Sequence, residues 1–155
     1  MYSNELICNI LDFISQNINR KITISELSTR FFFNKDYIMR LFKRELQTTI
    51  LEYINRVRIY NSLTELQTTT KSILNIGLNN GFASQEYYSE TFHKVVGVSP
   101  LIYRKFTKRS NEISEEEYLT IQTSLANLSS FINQVTYYQN NRKKTLTKTL
   151  SIFKK

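Results

Sequence analysis

Apolar residues recur along this chain at helical spacing, and capping residues rather than glycine-rich turns break the stripes. Leu6, Ile7, Ile10, Leu11, Ile14 and Ile18 form one wide stripe, which predicts a first helix that frays over residues 17–20. Ser25 is read as the cap of a short second helix with Leu27 and Phe31 inward. The Phe31-Phe32-Phe33 run reads as core and turn packing. Asn34 then caps a third helix, Lys35–Leu46, with Ile38, Leu41 and Phe42 on one face. Its other face carries Lys35, Asp36, Met39, Arg40, Lys43 and Arg44. A long helix is expected over residues 49–66, with Ile50, Ile54, Val57 and Leu63 as its stripe.

The plan then repeats. Ser72 caps a short helix carrying Ile73 and Ile76, and Asn79-Asn80-Gly81 is a turn signal. Ser84 caps another helix, with Tyr88, Phe92 and Val95 inward. Gly97 stands where a C-terminal cap belongs, and Ser99-Pro100 opens a last short helix through Tyr103. A short helix, a tight turn and a helix with a polar outer face thus occur twice, joined by the long helix. Such a pattern suggests a doubled helix-turn-helix reader.

Composition narrows the function. The 155 residues include 21 Lys+Arg against 13 Asp+Glu, a net charge of +8. That surplus points first to nucleic acid, then to an anionic membrane surface. A single cysteine, Cys8, excludes a disulfide framework and any cysteine-based zinc site. Three glycines cannot build phosphate-cradling loops or the tight turns of an all-β fold. One histidine and no carboxylate cluster at ligand spacing leave little for catalysis, so neither enzyme activity, a metal nor a cofactor is expected. No apolar run approaches the ~20 residues that cross a bilayer. The N-terminus lacks the pattern of an export signal, so the expected location is the cytoplasm, on the nucleoid.

The residues from Ile24-Ser25-Glu26-Leu27 through Tyr37-Ile38-Met39-Arg40-Leu41-Phe42-Lys43-Arg44-Glu45 resemble the first helix-turn-helix of the AraC-type (AraC/XylS) bacterial transcription regulators. Leu51-Glu52-Tyr53-Ile54-Asn55-Arg56-Val57-Arg58-Ile59 resembles the start of that family's linker helix. The strongest match runs from Ser72 through Gly81-Phe82-Ala83-Ser84-Gln85-Glu86-Tyr87-Tyr88-Ser89-Glu90-Thr91-Phe92-His93-Lys94 to Gly97-Val98-Ser99-Pro100, Tyr103 and Arg104. Together these pieces cover about residues 5–106.

The resemblance implies an all-α, seven-helix DNA-binding domain over residues 1–109. Its parts would be a first helix-turn-helix at about 22–47, a linker helix at about 49–66 and a second helix-turn-helix at about 72–104. It also implies a sequence-specific regulator of double-stranded DNA, an activator that works with RNA polymerase. Its two recognition helices would enter successive major grooves, centred ~34 Å apart. Two departures stand out. Gln47 occupies a position where glycine commonly ends the first recognition helix, and Gly77 one where alanine is usual.

The outer faces give the candidate contacts. Asp36, Met39 and Arg40 are the base readers of the first helix, by resemblance as well as by position, and Arg40 can fork onto guanine O6 and N7. In the second helix the matching positions are Gln85, Glu86, Ser89 and Glu90. Gln85 suits adenine, and either acid could accept from cytosine N4. Glu90 either reads a cytosine, pairs with a neighbouring cation, or marks a weakened second reader. Lys35, Lys43, Arg44, Ser84, Lys94 and Arg104 are candidate phosphate contacts, with the amide ends of the helices capped by Ser25 and Ser99. Arg56 and Arg58, on the linker, are read as structural.

Residues 110–155 form an extension beyond a seam at residues 108–111. Ser114 with Glu117 is a capping box that starts a helix over about 115–139. Ile121, Leu125, Leu128, Ile132 and Val135 make a narrow stripe, suited to a homodimer seam or to packing back on the same domain. A basic tail follows, in which Leu146, Leu150 and Ile152 alternate as in a strand, as if the chain were the N-terminal piece of a longer, multidomain regulator. The remaining alternative is a helical interaction module whose basic faces bind an acidic protein or a membrane.

Overall fold

The computed structural model describes residues 2–109 and 111–154, with the backbone alone for Tyr2 and Phe153. Ser110 of the seam and the terminal Lys155 of the basic tail lie outside the described residues. Among those described, every regular element is a helix: α1 Tyr2–Gln16, α2 Ile24–Phe31, α3 Lys35–Leu46, α4 Ile50–Thr68, α5 Ile73–Asn79, α6 Gln85–Val96, α7 Pro100–Thr107 and α8 Glu115–Phe153. The seven-helix expectation holds for α1–α7, and α8 is added to it.

The helices form two compact units. The first holds α1–α3, the start of α4 and α8 from Phe131 onward. Its buried residues include Leu6, Ile7, Ile10, Leu11 and Ile14 of the expected α1 stripe, with Leu27, Ile38, Leu41, Phe42 and Tyr53. Phe31 meets the ring of Phe13 edge-on at 6.1 Å. Phe32 departs from the expected packing. It takes the left-handed conformation that ends α2 and is 92% exposed.

The second unit holds the rest of α4, α5–α7 and α8 up to Ser130, with residues 18–21. An aromatic ladder runs through it: Phe82–Tyr88 at 5.1 Å, Tyr88–Phe92 at 5.8 Å, Phe92–Tyr103 at 5.6 Å, Tyr103–Phe106 at 6.0 Å and Phe106–Tyr118 at 5.4 Å. On α6 it is Val96, not Val95, that is fully buried. On α4 the expected stripe holds only at Ile54. Tyr53, Arg58, Ile59, Ser62 and Leu66 are buried, while Ile50, Val57 and Leu63 are half-buried. The stripe was mis-set because two polar residues, Arg58 and Ser62, take inner positions. Their polar atoms are satisfied there, Arg58 by main-chain carbonyls and Ser62 by the Tyr88 hydroxyl 3.0 Å away.

The helix starts share one device. The cap of α2 is Thr23, whose hydroxyl accepts from the Glu26 amide at 3.1 Å, and Ser25 lies inside the helix. Thr49 and Glu52 open α4 as a reciprocal box, with amide-to-side-chain distances of 3.2 and 3.0 Å. Ser114 and Glu117 open α8 likewise, at 3.1 and 3.0 Å. Each pair has the spacing at which one side chain caps the other's amide.

The ends also follow the sequence, with one surprise. Gln47 adopts φ 57, as glycine would. Its amide reaches the Lys43 carbonyl, and its side-chain amide donates to the Arg44 carbonyl at 2.9 Å. The helix therefore ends as a glycine would end it, with a polar side chain offsetting some of the strain. Gly77 is needed for space, since a Cβ there would lie 3.0 Å from Cβ, Cγ and Cδ1 of Tyr88. It lets α5 and α6 approach closely.

The extension corrects one expectation. It is one continuous helix, so Leu146, Leu150 and Ile152 lie on α8 and not on a strand. A lone strand would leave its backbone unpaired, whereas the helix satisfies its own. Thr145, Thr147 and Thr149 return their hydroxyls to carbonyls one turn back, at 3.0–3.1 Å. On the same helix Ile121, Leu128 and Val135 are buried, and Leu125 and Ile132 are half-buried. In the first unit, Gln139 and Lys143 both hold Asp12, at 2.5 and 2.9 Å.

Glu65, on α4, holds the end of α5 and the loop before it. It accepts from Asn80 at 2.8 Å, Lys71 at 3.1 Å and Asn79 at 3.3 Å. Burial pushes its carboxyl up, but the bonds from Lys71, Asn80 and Asn79 outweigh that and hold it below the ordinary 4.5. A depressed folded pKa contributes stability above the unfolded value that is lost as pH falls through the folded one. Urea titrations from pH 6 downward are expected to show a decline beginning near 4.5, shallower in Glu65→Gln.

Candidate nucleic-acid interface

Each unit places one helix with a locked inner face and an open outer face. In the first, Thr23 starts α2, Phe32 turns the chain, and Asn34 caps α3 by accepting the Asp36 amide at 2.8 Å. Ile38, Leu41 and Phe42 are buried, which fixes the rotation of α3 about its axis. Lys35, Asp36, Met39, Arg40, Lys43 and Arg44 consequently all stand exposed. Arg44 shares its charge with Glu45, 3.0 Å away, whereas among the described residues Arg40 and Lys43 face no carboxylate at ion-pair distance. The structure thus brings the first set of candidate readers together on one solvent face.

In the second unit, Ser84 caps α6 by accepting the Tyr87 amide at 3.1 Å. Tyr88, Thr91, Phe92 and Val96 are buried. Gln85, Glu86, Glu90 and Lys94 are exposed and Ser89 is half-exposed. Among the described residues no cation lies at ion-pair distance from Glu86 or Glu90. The pairing account of Glu90 therefore fails, and its carboxylate faces solvent unneutralised. An acid in the first turn, such as Glu86, is favoured by the helix dipole without any ligand.

The two units repeat at a constant offset. Asn34 and Ser84 are caps, Phe42 and Phe92 are buried, and Gln47 and Gly97 are left-handed C-caps. Tyr53 and Tyr103 each bring a ring 5.6 Å from the phenylalanine. Both helix pairs therefore present their second helix by the same construction.

Two arginines serve the frame. Arg58 is 6% exposed. Its Nε donates to the Ile18 carbonyl at 2.9 Å and its Nη2 to the Arg20 carbonyl at 2.6 Å. Arg104 does the same for the loop before α5, with Nη2 donating to the Lys71 carbonyl at 2.6 Å and Nε to Leu66 at 3.5 Å. The guanidinium of Arg104 is thus engaged with main chain, which sets it apart from the open Lys35, Lys43 and Lys94. For Arg104, sequence spacing could not separate a strut from a phosphate contact, because both need a long cation on a helix.

One residue on the outer face escaped the sequence reading. Tyr87 is 38% exposed beside Gln85 and Glu86, and its hydroxyl accepts from Asn55 Nδ2 at 2.8 Å. No periodicity marks it, since it lies at the border between the buried and open faces.

Comparison with known proteins agrees with this construction. A family model described as a helix-turn-helix domain matches residues 27–105. The melibiose operon regulatory protein of Escherichia coli (strain K12) is 36% identical over 106 residues, which is 68% of this chain but 35% of that protein. The transcriptional activator AarP of Providencia stuartii is 29% identical over 103 residues, 66% of this chain and 76% of that one. Among solved structures, a transcriptional regulator of the AraC-type DNA-binding-domain class from Chromobacterium violaceum is 27% identical. Its TM-score is 0.56, covering 63% of this chain and 87% of that one. The matched stretch thus spans about a third of the melibiose regulator, and α8 lies outside the family match. With two capped helix pairs built alike and a family model over half its length, the chain belongs to the AraC-type helix-turn-helix family.

Proposed function

We propose that this chain binds double-stranded DNA sequence-specifically and activates transcription, with α3 and α6 read into successive major grooves. The observation that carries the reading is the pair of helices whose apolar faces are locked while their polar faces stand open. Arg40, Asp36 and Met39 read bases from α3, and Gln85, Glu86, Ser89 and Glu90 from α6. Lys35, Lys43 and Lys94 take phosphates, helped by the amide ends at Ser84 and Ser99. Arg104 is removed from that set, and Arg44 contributes less because Glu45 shares it. RNA polymerase is the protein partner of an activator, and the cytoplasmic nucleoid is the place of action. No catalytic role, cofactor or metal enters this reading.

Selection from random duplex DNA tests it. The expected result is a motif within a ~20 bp footprint, bound with steep salt dependence. Recovery of no motif would favour a basic module for acidic partners. Arg40→Ala is expected to cost ~1–3 kcal/mol on the selected site and relax preference at one position, whereas Lys43→Ala weakens all sequences alike. Fluorescence anisotropy on matched and mismatched duplexes separates the two. Equal binding of every duplex by Arg40→Ala and wild type would remove Arg40 from the readers.

A further inference from the structure

Within the first unit a groove of about 510 Å³ opens between the C-terminal end of α3 and the stretch of α8 after Phe131. That volume falls in the range of small-molecule sites, ~300–1,000 Å³. Leu46, Phe131, Val135, Tyr137 and Tyr138 give it apolar, largely aromatic walls. Two charged side chains line it, Glu45 and Arg142. Their situations differ. Glu45 is matched by Arg44 at 3.0 Å and lies 3.2 Å from the Tyr138 hydroxyl. Arg142 lies over the Tyr138 ring at 5.3 Å and, among the described residues, faces no carboxylate at ion-pair distance. The neighbouring cation on the helix, Lys143, is already held by Asp12. The groove therefore offers apolar, largely aromatic walls, one planar cation with no carboxylate at ion-pair distance, and the side-chain amides of Gln134 and Asn141.

We infer that this groove is a binding site for a small aromatic carboxylate, its ring between the aromatic walls and its carboxylate on Arg142. A guanidinium forks onto a carboxylate with two parallel hydrogen bonds, and the same cation over a ring favours a flat partner. Tyr138 stays neutral at ordinary pH, since burial and then Glu45 push its hydroxyl up to about 12, so it adds no repelling charge. Most of the groove comes from α8, outside the family match, so the site is not one shared through the helix-turn-helix domain. It stands whether or not the DNA-binding reading does.

Calorimetric titration of the whole chain with benzoate, 2-naphthoate and the neutral 2-naphthamide tests the inference. The expected result is 2-naphthoate binding with a Kd below about 1 mM and the amide at least ~tenfold weaker. Arg142→Gln is expected to bring the acid down to the level of the amide. Arg142→Lys, which keeps the charge but not the fork, retains part of the difference. Equal binding of acid and amide would overturn the inference, as would an Arg142→Gln variant that binds the acid unchanged. Absence of heat from both acids up to ~5 mM would do the same. So would light scattering that finds a dimer at the working concentration dispersed by Tyr137→Asp, because the groove would then be covered by a second copy.

Discussion

Arg58→Met is expected to lower unfolding free energy by about 3 kcal/mol while leaving the salt slope of DNA binding unchanged. The side chain is buried and bridges two main-chain carbonyls, Ile18 at 2.9 Å and Arg20 at 2.6 Å, with Phe82 5.8 Å below the guanidinium. Burial lowers its pKa against the opposing pull of Tyr87. Methionine keeps most of the stem packing but donates nothing, so two carbonyls lose their partners where water does not readily replace them. A phosphate contact would behave in the opposite way, losing about one unit of slope with little change in stability. Gly81 makes the assignment sharper. At φ 89, a Cβ there would lie 2.5 Å from the Ile18 carbonyl oxygen and 2.8 Å from Arg58 Nε. Gly81→Ala therefore adds left-handed strain of ~1–2 kcal/mol and also displaces the same guanidinium. Because both changes break one contact set, the double variant is expected to fall short of the sum of the singles in urea unfolding. Additivity to within ~0.5 kcal/mol would show that Arg58 and Gly81 act separately.

Where the sequence was legible, a local rule decided the outcome. The α3 and α6 faces followed from apolar spacing and from Asn34, Ser84 and Gly97, each of which acts within one helical turn. Most of the outer-face candidates emerged on solvent for the same reason. Legibility failed where a partner distant in the chain sets the role. Arg104 looks like a phosphate contact until the carbonyls it meets are known, and the inward turn of Arg58 and Ser62 misplaced the α4 stripe. Thr23 was open to a local reading, since its spacing to Glu26 is that of the boxes at Thr49 and Ser114. Ser25 drew the cap only by standing next to the apolar run. The end of α8 misled because Leu146, Leu150 and Ile152 fit a two-residue alternation, although Leu146 and Leu150 also stand one helical turn apart.

The largest single loss of stability is expected from Phe92→Ala. Phe92 is fully buried and sits in the middle of the aromatic ladder, 5.8 Å from Tyr88 and 5.6 Å from Tyr103. Deleting a buried ring costs roughly 3–5 kcal/mol, the lost transfer energy plus the cavity left between rings that cannot close on it. That is a large part of the ~5–15 kcal/mol available to a domain, and it should lower the melting midpoint by about 10 °C. Glu90, two residues earlier on the same helix, gives the contrast. It is exposed and faces no cation among the described residues, so Glu90→Ala should change stability by no more than ~0.5 kcal/mol. If its carboxylate accepts from a cytosine, the same variant loses preference at one base pair of the selected site by ~1–3 kcal/mol. If Glu90 only repels the backbone, Glu90→Ala tightens binding to every duplex. Either shift, measured below the Phe92→Ala transition, assigns the outer face of α6 to DNA. A Glu90→Ala variant with wild-type affinity and preference would leave the second helix pair outside the contact and confine reading to α3.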